Sequence, residues 1–207
     1  MSHPVSANNL IDMITKEIIT AALSRRQRKV ISSEEYPLYK RAAVLITLVP
    51  IDDEFSILLT VRTDEVETHK GQISCPGGMR DDGDNDLTQT ALRETEEELG
   101  IPRTSIEILG VSDDQATPTK FIITPVVGCL DELPSLTLNT NEVAEVFTVP
   151  LSVFIEKKNA RNEEREFQGK IHTVWYFQYG KHMIWGATAI LLVNFAEIIM
   201  KANTSGQ

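Results

Sequence analysis

The feature that most constrains this chain is the acidic run Arg-Glu-Thr-Glu-Glu-Glu-Leu-Gly at positions 93–100. Periodic apolar residues around it predict a helix over residues 86–99, and Gly100 is a typical helix stop. Because residues three and four apart share a helix face, Glu94, Glu97 and Glu98 should project together while Glu96 points elsewhere. The sequence therefore predicts one helix face that carries three carboxylates.

Such a face has two interpretations. Dense acidic charge is in most proteins a solvated surface. Alternatively, the carboxylates hold Mg²⁺, which takes one or two carboxylates together with phosphate oxygens and water. A metal here would polarise a phosphoryl group and lower the pKa of an attacking water, and a neighbouring carboxylate would take the proton. Arg93 is expected to point away from this face and to hold a glutamate from the side.

Composition limits the number of domains, the kinds of partner and the cellular location that this chain is expected to have. The 207 residues are 42% hydrophobic, which is enough for one core and predicts a single domain over residues 1–207. A net charge of −10 argues against nucleic acid as a partner. Cys75 and Cys129 match no zinc or redox spacing, and the first residues do not resemble a secretory signal, so we expect a cytoplasmic protein. The apolar stretch near residues 183–200 is interrupted by Asn194 and Glu197 and predicts a core helix rather than a membrane span.

The periodicity and the turn residues predict an alternation of strands with three helices. The first helix covers residues 8–28 and is closed by the basic run 25–29. Strands 42–49 and 56–61 should form a hairpin, and Pro76-Gly77-Gly78 reads as a loop. The further predicted segments are strands at 105–112, 121–129, 143–149 and 170–179, a loop at 131–141 and a last helix at 183–201. Together they indicate an α/β sandwich with a mixed sheet.

The glycine pair and the acidic helix together resemble the Nudix box. Its general pattern is a glycine, five residues, a glutamate, seven residues and then Arg-Glu-U-x-Glu-Glu-x-Gly-U, where U is aliphatic. In residues 78–101, Gly78 matches the first glycine. The matching positions of the second half are Arg93, Glu94, Glu97, Glu98, Gly100 and Ile101. The departures are Asp84 near the expected glutamate, Thr95 in an aliphatic position, and fourteen rather than thirteen residues between Gly78 and Arg93.

The resemblance implies an α/β/α sandwich with a mixed β-sheet. It implies hydrolysis of a nucleoside diphosphate linked to another group, with Mg²⁺ or Mn²⁺ as cofactor. Carried over, Glu94 and Glu98 are the primary metal ligands, Glu97 is a further ligand or the water-activating base, and the backbone of Gly78 approaches the metal. The expected catalytic residues are Arg93, Glu97 and Glu98.

The expanded box is similar to that of the coenzyme A pyrophosphatase branch, which carries an upstream signature. The shared upstream positions are Leu58, Leu59, Thr60, Arg62, Gly71, Pro76, Gly77 and Gly78. A second similarity is Trp-Gly-Ala-Thr-Ala at positions 185–189. The implied products are 3′,5′-ADP and phosphopantetheine. The residues expected to contact substrate phosphates are Arg62, His69, Lys70 and Gly77.

Three departures leave the substrate open: Thr63 replaces Ser or Ala, Glu67 replaces Arg, and Cys75 replaces Phe. Glu67 reverses a charge suited to the 3′-phosphate of coenzyme A. The alternatives are hydrolysis of ADP-ribose, an NDP-sugar or a dinucleotide, or a non-catalytic nucleotide-binding module. No membrane contact is predicted, and a homodimer is a possible assembly.

Two later glutamates are further candidates for the base. Family members sometimes take the base from a loop in the region of Glu142 and Glu145. We favour a turn position for Glu142 and an exposed strand position for Glu145.

Overall fold

The centre of the molecule is strand β1 (Lys40–Ile51), whose long apolar run is buried on both faces. The computed structural model describes residue 11 and residues 14–63, 71–167 and 169–204. A turn at Asp52 and Asp53 returns the chain into β2 (Glu54–Arg62), which pairs antiparallel with β1. The predicted hairpin is therefore present. On its other side β1 pairs in parallel with β7 (Phe121–Cys129), a long-range contact that makes the sheet mixed.

The large sheet has eight strands within the described residues. Besides β1, β2 and β7 these are β3 (Ile73–Ser74), β4 (Gly77–Met79), β5 (Glu107–Val111), β6 (Gln115–Ala116) and β8 (Val143–Pro150). Five of them follow the order β3-β2-β1-β7-β5, and β4, β6 and β8 pair with β1, β7 and β2, respectively. A second, antiparallel sheet is formed by β9 (Ala160–Phe167), β10 (Lys170–Tyr179) and β11 (His182–Trp185).

Helices cover both faces of the large sheet. They are α1 (Lys16–Ser24), α2 (Leu87–Leu99), α3 (Leu151–Glu156) and α4 (Gly186–Thr204), with a 3₁₀ turn at Arg103–Ser105. Because side chains alternate along a strand, Ile46 and Leu48 pack against α1, α3 and α4. Leu45 and Val49 point to the opposite face and pack against α2. The predicted α/β sandwich with a mixed sheet is confirmed.

The first helix is shorter than predicted. It begins at Lys16 and ends at Ser24, whereas the prediction covered residues 8–28, of which 8–10 and 12–13 lie outside the described residues. The basic run closes it as predicted, since Arg25 is the C-cap residue and its N–H donates to the Ala21 carbonyl. The cations beyond it do not lie in the last turn: Arg26 and Arg28 form ion pairs with Asp113 and Asp114, and the side chain of Asp114 is fully buried. A buried carboxylate attracts a guanidinium more strongly than the weak field of a helix end does.

The predicted loop at Pro76-Gly77-Gly78 is wrong, because Gly77 and Gly78 belong to β4 and pair with β1. Residues without side chains fit here since the strands approach so closely. A Cβ added to Gly77 would lie 2.3 Å from the carbonyl oxygen of Ala43.

The last helix begins at Gly186 rather than 183, because β11 occupies the preceding residues. The described helices include none that is long and apolar enough to cross a bilayer. Strand β9 was missed because it is polar and mostly exposed, so it shows no apolar alternation. Helix α3 is only six residues long and was also missed.

Candidate active site

Helix α2 presents its glutamates to the edge of the sheet. The Asp86 side chain accepts a hydrogen bond from the Gln89 N–H at the helix start, and Gly100 ends the helix with a φ of 69°. Thr95, which stands where the family pattern has an aliphatic residue, is fully buried and donates its hydroxyl to the Ala91 carbonyl at 2.7 Å. Because the helix face that carries Thr95 packs on the sheet, Glu94 and Glu98 are directed toward β4.

Strand β4 and α2 meet most closely at Gly78 and Glu94. A Cβ on Gly78 would lie 2.4 Å from the Glu94 Oε1 atom, so only a glycine leaves room for this carboxylate. Burial raises the pKa of Glu94, and the neighbouring Arg93 offsets part of that increase. The side chain of Glu94 is 16% exposed and lines a cleft.

Glu98 is the most buried carboxylate of this helix, at 3% exposure. Burial raises its pKa to about 8; the charge of Arg62 opposes the shift, and the charges of Glu94 and Glu142 add to it. The Arg62 Nη1 atom lies 4.0 Å from the Glu98 Oε1 atom, which is a long ion pair. The Glu98 Oε2 atom has no hydrogen-bond partner among the described residues. Burial therefore disfavours the charged form of this carboxyl more than its protein contacts, Arg62 and the Gly77 N–H, favour it.

Arg93 organises the other side of the acidic cluster. Its guanidinium contacts Asp84 at 3.0 Å, Glu94 at 2.9 Å and Glu97 at 3.0 Å, and donates to the Met79 carbonyl at 3.1 Å. The predicted side-on pairing with a glutamate is present, but Arg93 lies among the carboxylates and does not point away from them. Asp84 is buried, and its bond to Arg93 holds the pKa of its carboxyl well below the usual range.

The glutamates of the helix have different environments. Glu96 lies on another face and pairs with Arg103 at 2.7 Å, as its helical position predicts. Glu97 is half-exposed and bound by Arg93. Within the described residues no three His, Cys, Asp or Glu side chains already converge as a metal cage. The arrangement nevertheless fits a divalent cation, because Glu98 keeps an unpartnered buried oxygen beside Glu94.

A cleft of about 570 Å³ opens along this cluster, and Glu142, for which the sequence favours only a turn position, is one of its lining residues. Glu142 lines the cleft, and its charge contributes to the raised pKa values of both Glu94 and Glu98. It is both a turn residue and part of the site. Its proximity to the helix arises from the 131–142 loop folding back, which sequence periodicity does not report.

Hydrogen bonds hold Glu142 from two sides. The Asn139 Nδ2 atom donates to the Glu142 carboxylate at 3.1 Å, and the Asn139 N–H donates to the Glu98 carbonyl at 2.9 Å. Directly after β2, the Thr63 N–H donates to the Glu142 carbonyl at 2.9 Å, and the Thr63 hydroxyl donates to the Asn141 carbonyl at 2.8 Å. The hydroxyl of Thr63 thus anchors the loop.

Of the four residues predicted to contact substrate phosphates, the structure describes two. Arg62 and Gly77 line the cleft. His69 and Lys70, together with Glu67, lie outside the described residues. Cys75 also lines the cleft, but burial raises the pKa of its thiol to about 12, so it is an inert thiol.

The strand position expected for Glu145 is confirmed, but the residue is partly buried rather than exposed. This residue lies in β8 and pairs with Lys181 at 3.0 Å and with His182 at 3.4 Å.

Comparison with known proteins decides the family. The family model described as NUDIX domain matches residues 39–169. The chain belongs to the Nudix family.

The relatives include Nudix hydrolase 15, mitochondrial, of Arabidopsis thaliana, which is 36% identical over 77% of this chain and 58% of its own length. The uncharacterized Nudix hydrolase NudL of Photorhabdus laumondii is 35% identical over 76% of this chain and 84% of its own. Nudix hydrolase 22, chloroplastic, of Arabidopsis thaliana is 34% identical, and 55% of it is covered. The chain thus spans little more than half of the two plant proteins.

Solved structures are more distant. A MutT/nudix family protein from Enterococcus faecalis aligns over 96% of this chain and 76% of its own, at 14% identity and a TM-score of 0.49. The MutT protein from Methanosarcina mazei aligns over 82% of this chain and 96% of its own, at 17% identity and a TM-score of 0.48. The family assignment rests on the sequence matches.

The family assignment supports the coarse functional prediction. The relatives are named Nudix hydrolases, a class that hydrolyses pyrophosphate bonds in nucleotide substrates and generally uses divalent metal ions.

Proposed function

We propose that this protein hydrolyses the pyrophosphate bond of coenzyme A or its derivatives, giving 3′,5′-ADP and phosphopantetheine, with Mg²⁺ or Mn²⁺. The observation that carries the reaction is the buried Glu98 carboxylate with an unpartnered oxygen, beside Glu94 and Glu142 in one cleft. The substrate proposal is supported by the upstream residues shared with the coenzyme A branch. It is supported too by the Trp-Gly-Ala-Thr-Ala segment, since Ala187 and Thr188 line the same cleft.

Glu94 and Glu98 would hold the cation, with Glu97 and the Gly78 backbone completing its protein neighbours. When bound, the metal neutralises the diphosphate and makes the attacking water more acidic. Arg93 fixes the rotamers of Glu94 and Glu97 through its contacts of about 3 Å. Arg62 supplies positive charge for a phosphate oxygen at the cleft wall.

The proton acceptor is a carboxylate of the same cluster. Glu97 and Glu98 are the helix candidates. Glu142 joins them because it faces the cleft from the opposite loop and is held there by Asn139. A carboxylate within reach of the attacking water accepts its proton as the bond to phosphorus forms.

The deciding experiment is hydrolysis of coenzyme A by the purified protein with Mg²⁺ or Mn²⁺, with 3′,5′-ADP release measured by chromatography. Glu98→Gln keeps the shape of the side chain and should lower kcat by roughly 100-fold or more. Glu96→Gln is the matched control, because Glu96 lies on another helix face and should leave turnover unchanged. Absence of 3′,5′-ADP with the wild-type protein would exclude the substrate.

A second candidate is the same reaction on ADP-ribose, an NDP-sugar or a dinucleotide. It is favoured by Glu67, whose charge is opposite to that of the arginine in the coenzyme A signature. A substrate panel distinguishes the two. If residue 67 discriminates, Glu67→Arg should raise kcat/KM for coenzyme A and not for ADP-ribose.

A non-catalytic nucleotide-binding module is disfavoured because Glu94, Glu97 and Glu98 of the box are all present. Unchanged activity in Glu98→Gln would favour it. The single domain over residues 1–207, the homodimer, the cytoplasmic location and the absence of nucleic acid and membrane partners stay predictions. Size-exclusion chromatography with light scattering measures the oligomeric state.

A further inference from the structure

The cleft extends past the edge strand β4 onto an apolar floor. In the sheet register Met79 lies beside Ala42, and Ala42 lies beside Ile123, while Phe121 follows on the same face of β7. All four line the cleft. Because neighbouring strands lie about 4.8 Å apart, the floor from β4 to β7 is roughly 10 Å wide. This is wide enough for a nucleoside-sized group beside the carboxylate cluster.

One cation stands at the β4 rim of this floor. The Arg80 Nη2 atom donates to the carbonyl oxygens of Asp84 at 3.1 Å and Asn85 at 3.4 Å. Its backbone N–H donates to the Arg41 carbonyl at 3.1 Å, which fixes the position of the residue. The two acceptors of the Arg80 side chain are neutral backbone carbonyls, so they orient the guanidinium without cancelling its charge.

The charge of Arg80 distinguishes it from the other arginines of the cleft. Arg93 contacts three carboxylates, and Arg62 lies beside Glu98. Among the residues that the structure describes, no carboxylate oxygen lies within 4.0 Å of an Arg80 nitrogen. Arg80 is therefore an oriented cation whose charge is available to a ligand.

The Arg80 guanidinium has N–H donors that are not used within the described part of the protein. A guanidinium carries five N–H donors, and here one nitrogen binds the protein. The Nε and Nη1 atoms donate to no acceptor in the described part of the chain, and the side chain is exposed. Parallel donors of this kind bind two oxygens of one phosphate.

We propose that Arg80 binds a phosphate monoester carried by the substrate, such as the 3′-phosphate of coenzyme A. The proposal rests on the proposed function, because it assumes that the diphosphate lies at Glu94 and Glu98. In this proposal Arg80 supplies the positive charge that the arginine of the coenzyme A signature, replaced here by Glu67, would otherwise supply. Asp81 lines the same part of the cleft, and its Oδ1 atom accepts from the Gly83 N–H at 3.3 Å. A monoester bound by Arg80 would therefore be repelled by Asp81.

The test compares two nucleotides that differ only in the monoester. Adenosine 3′,5′-bisphosphate and AMP are titrated by calorimetry into the 207-residue protein with Mg²⁺. The wild-type protein should bind the bisphosphate about tenfold more tightly or better, as a charge-assisted bidentate contact gives. Arg80→Gln should reduce this ratio to near one. Asp81→Asn, which removes a repelling charge, should increase it.

The control is Arg103→Gln, since Arg103 is an exposed arginine on the far side of α2 and its loss should keep the ratio. Arg80→Lys should retain an intermediate ratio, and thermal melting checks that each variant is folded. A wild-type ratio near one, binding of neither nucleotide, or equal losses for both nucleotides in Arg80→Gln would overturn the proposal. A preserved ratio without coenzyme A hydrolysis would refute the proposed substrate alone.

Discussion

Arg93 determines the shape of the carboxylate cluster at the scale of single residues. Its guanidinium binds Asp84, Glu94 and Glu97 at about 3 Å but does not contact Glu98, whose Oε2 atom has no partner among the described residues. Asp84 in turn accepts from the Thr90 hydroxyl at 2.9 Å and from the Asp81 N–H at 3.0 Å. Asp84 thus anchors Arg93 to the loop that precedes α2.

Removing the Asp84 charge should destabilise the protein. Asp84→Asn removes the buried charged partner of Arg93. We expect the free energy of unfolding to fall by roughly 1–3 kcal/mol at pH 7. Because Arg93 lowers the folded-state pKa of Asp84, this stability is fully present above the ordinary aspartate pKa of about 4 and is lost as pH falls below it. The difference in urea midpoint between wild type and variant should therefore shrink from pH 7 to pH 3.

The control for this measurement is Asp82→Asn, since Asp82 is exposed and its substitution should leave the midpoint unchanged. A constant difference between the Asp84 variant and the wild type across pH would contradict the pairing.

At the scale of elements, β4 and α2 must approach closely for Glu94 to reach the site. Gly78→Ala would place a Cβ 2.4 Å from the Glu94 Oε1 atom, so the carboxylate must move. We expect kcat to fall by roughly 10- to 100-fold while the protein remains folded. Gly83→Ala is the matched control, because nothing lies within 4 Å of the added methyl group. Equal activity of the two variants in a steady-state assay would contradict the close approach.

The 131–142 loop is the second element that completes the site. Asn139→Ala removes the amide that orients Glu142 but keeps the backbone bond to the Glu98 carbonyl. We expect kcat to fall about tenfold with a smaller change in KM, because Glu142 loses its orientation rather than a substrate contact. Asn141→Ala serves as the control on the same loop. A change confined to KM would place Asn139 in substrate binding instead.

At the scale of the whole molecule, the buried carboxylate of Glu98 links cofactor binding to stability. A cation that binds the folded protein at a concentration 100 times its Kd adds about 2.7 kcal/mol. For a chain of this size we therefore expect Mg²⁺ or Mn²⁺ to raise Tm by roughly 5–10 °C. Calorimetry with and without chelator measures the shift. Glu98→Gln should remove most of it, whereas Glu96→Gln should retain it; equal shifts in both variants would place the metal elsewhere.

Much of the fold was predictable because it depends on local interactions. The helix that carries the box was placed within a residue, since Asp86 and Gly100 provide its caps. The β1–β2 hairpin followed from two apolar runs around a polar turn. Strand β4 was not predictable, because its pairing depends on a distant partner and glycines usually indicate a loop. The polar strand β9 has no pattern from which to infer it.

The acidic helix was determined by the sequence itself. The spacing of Glu94, Glu97 and Glu98 and the outward direction of Glu96 follow from the helical period, which is a local property. Only the tertiary structure decided which carboxylate is buried and which groups surround it. Packing against β4 desolvates Glu98, Arg93 engages Glu97, and the loop brings Glu142 to the same cleft. These differences arise because burial and charge compensation depend on contacts between distant segments, which no local pattern encodes.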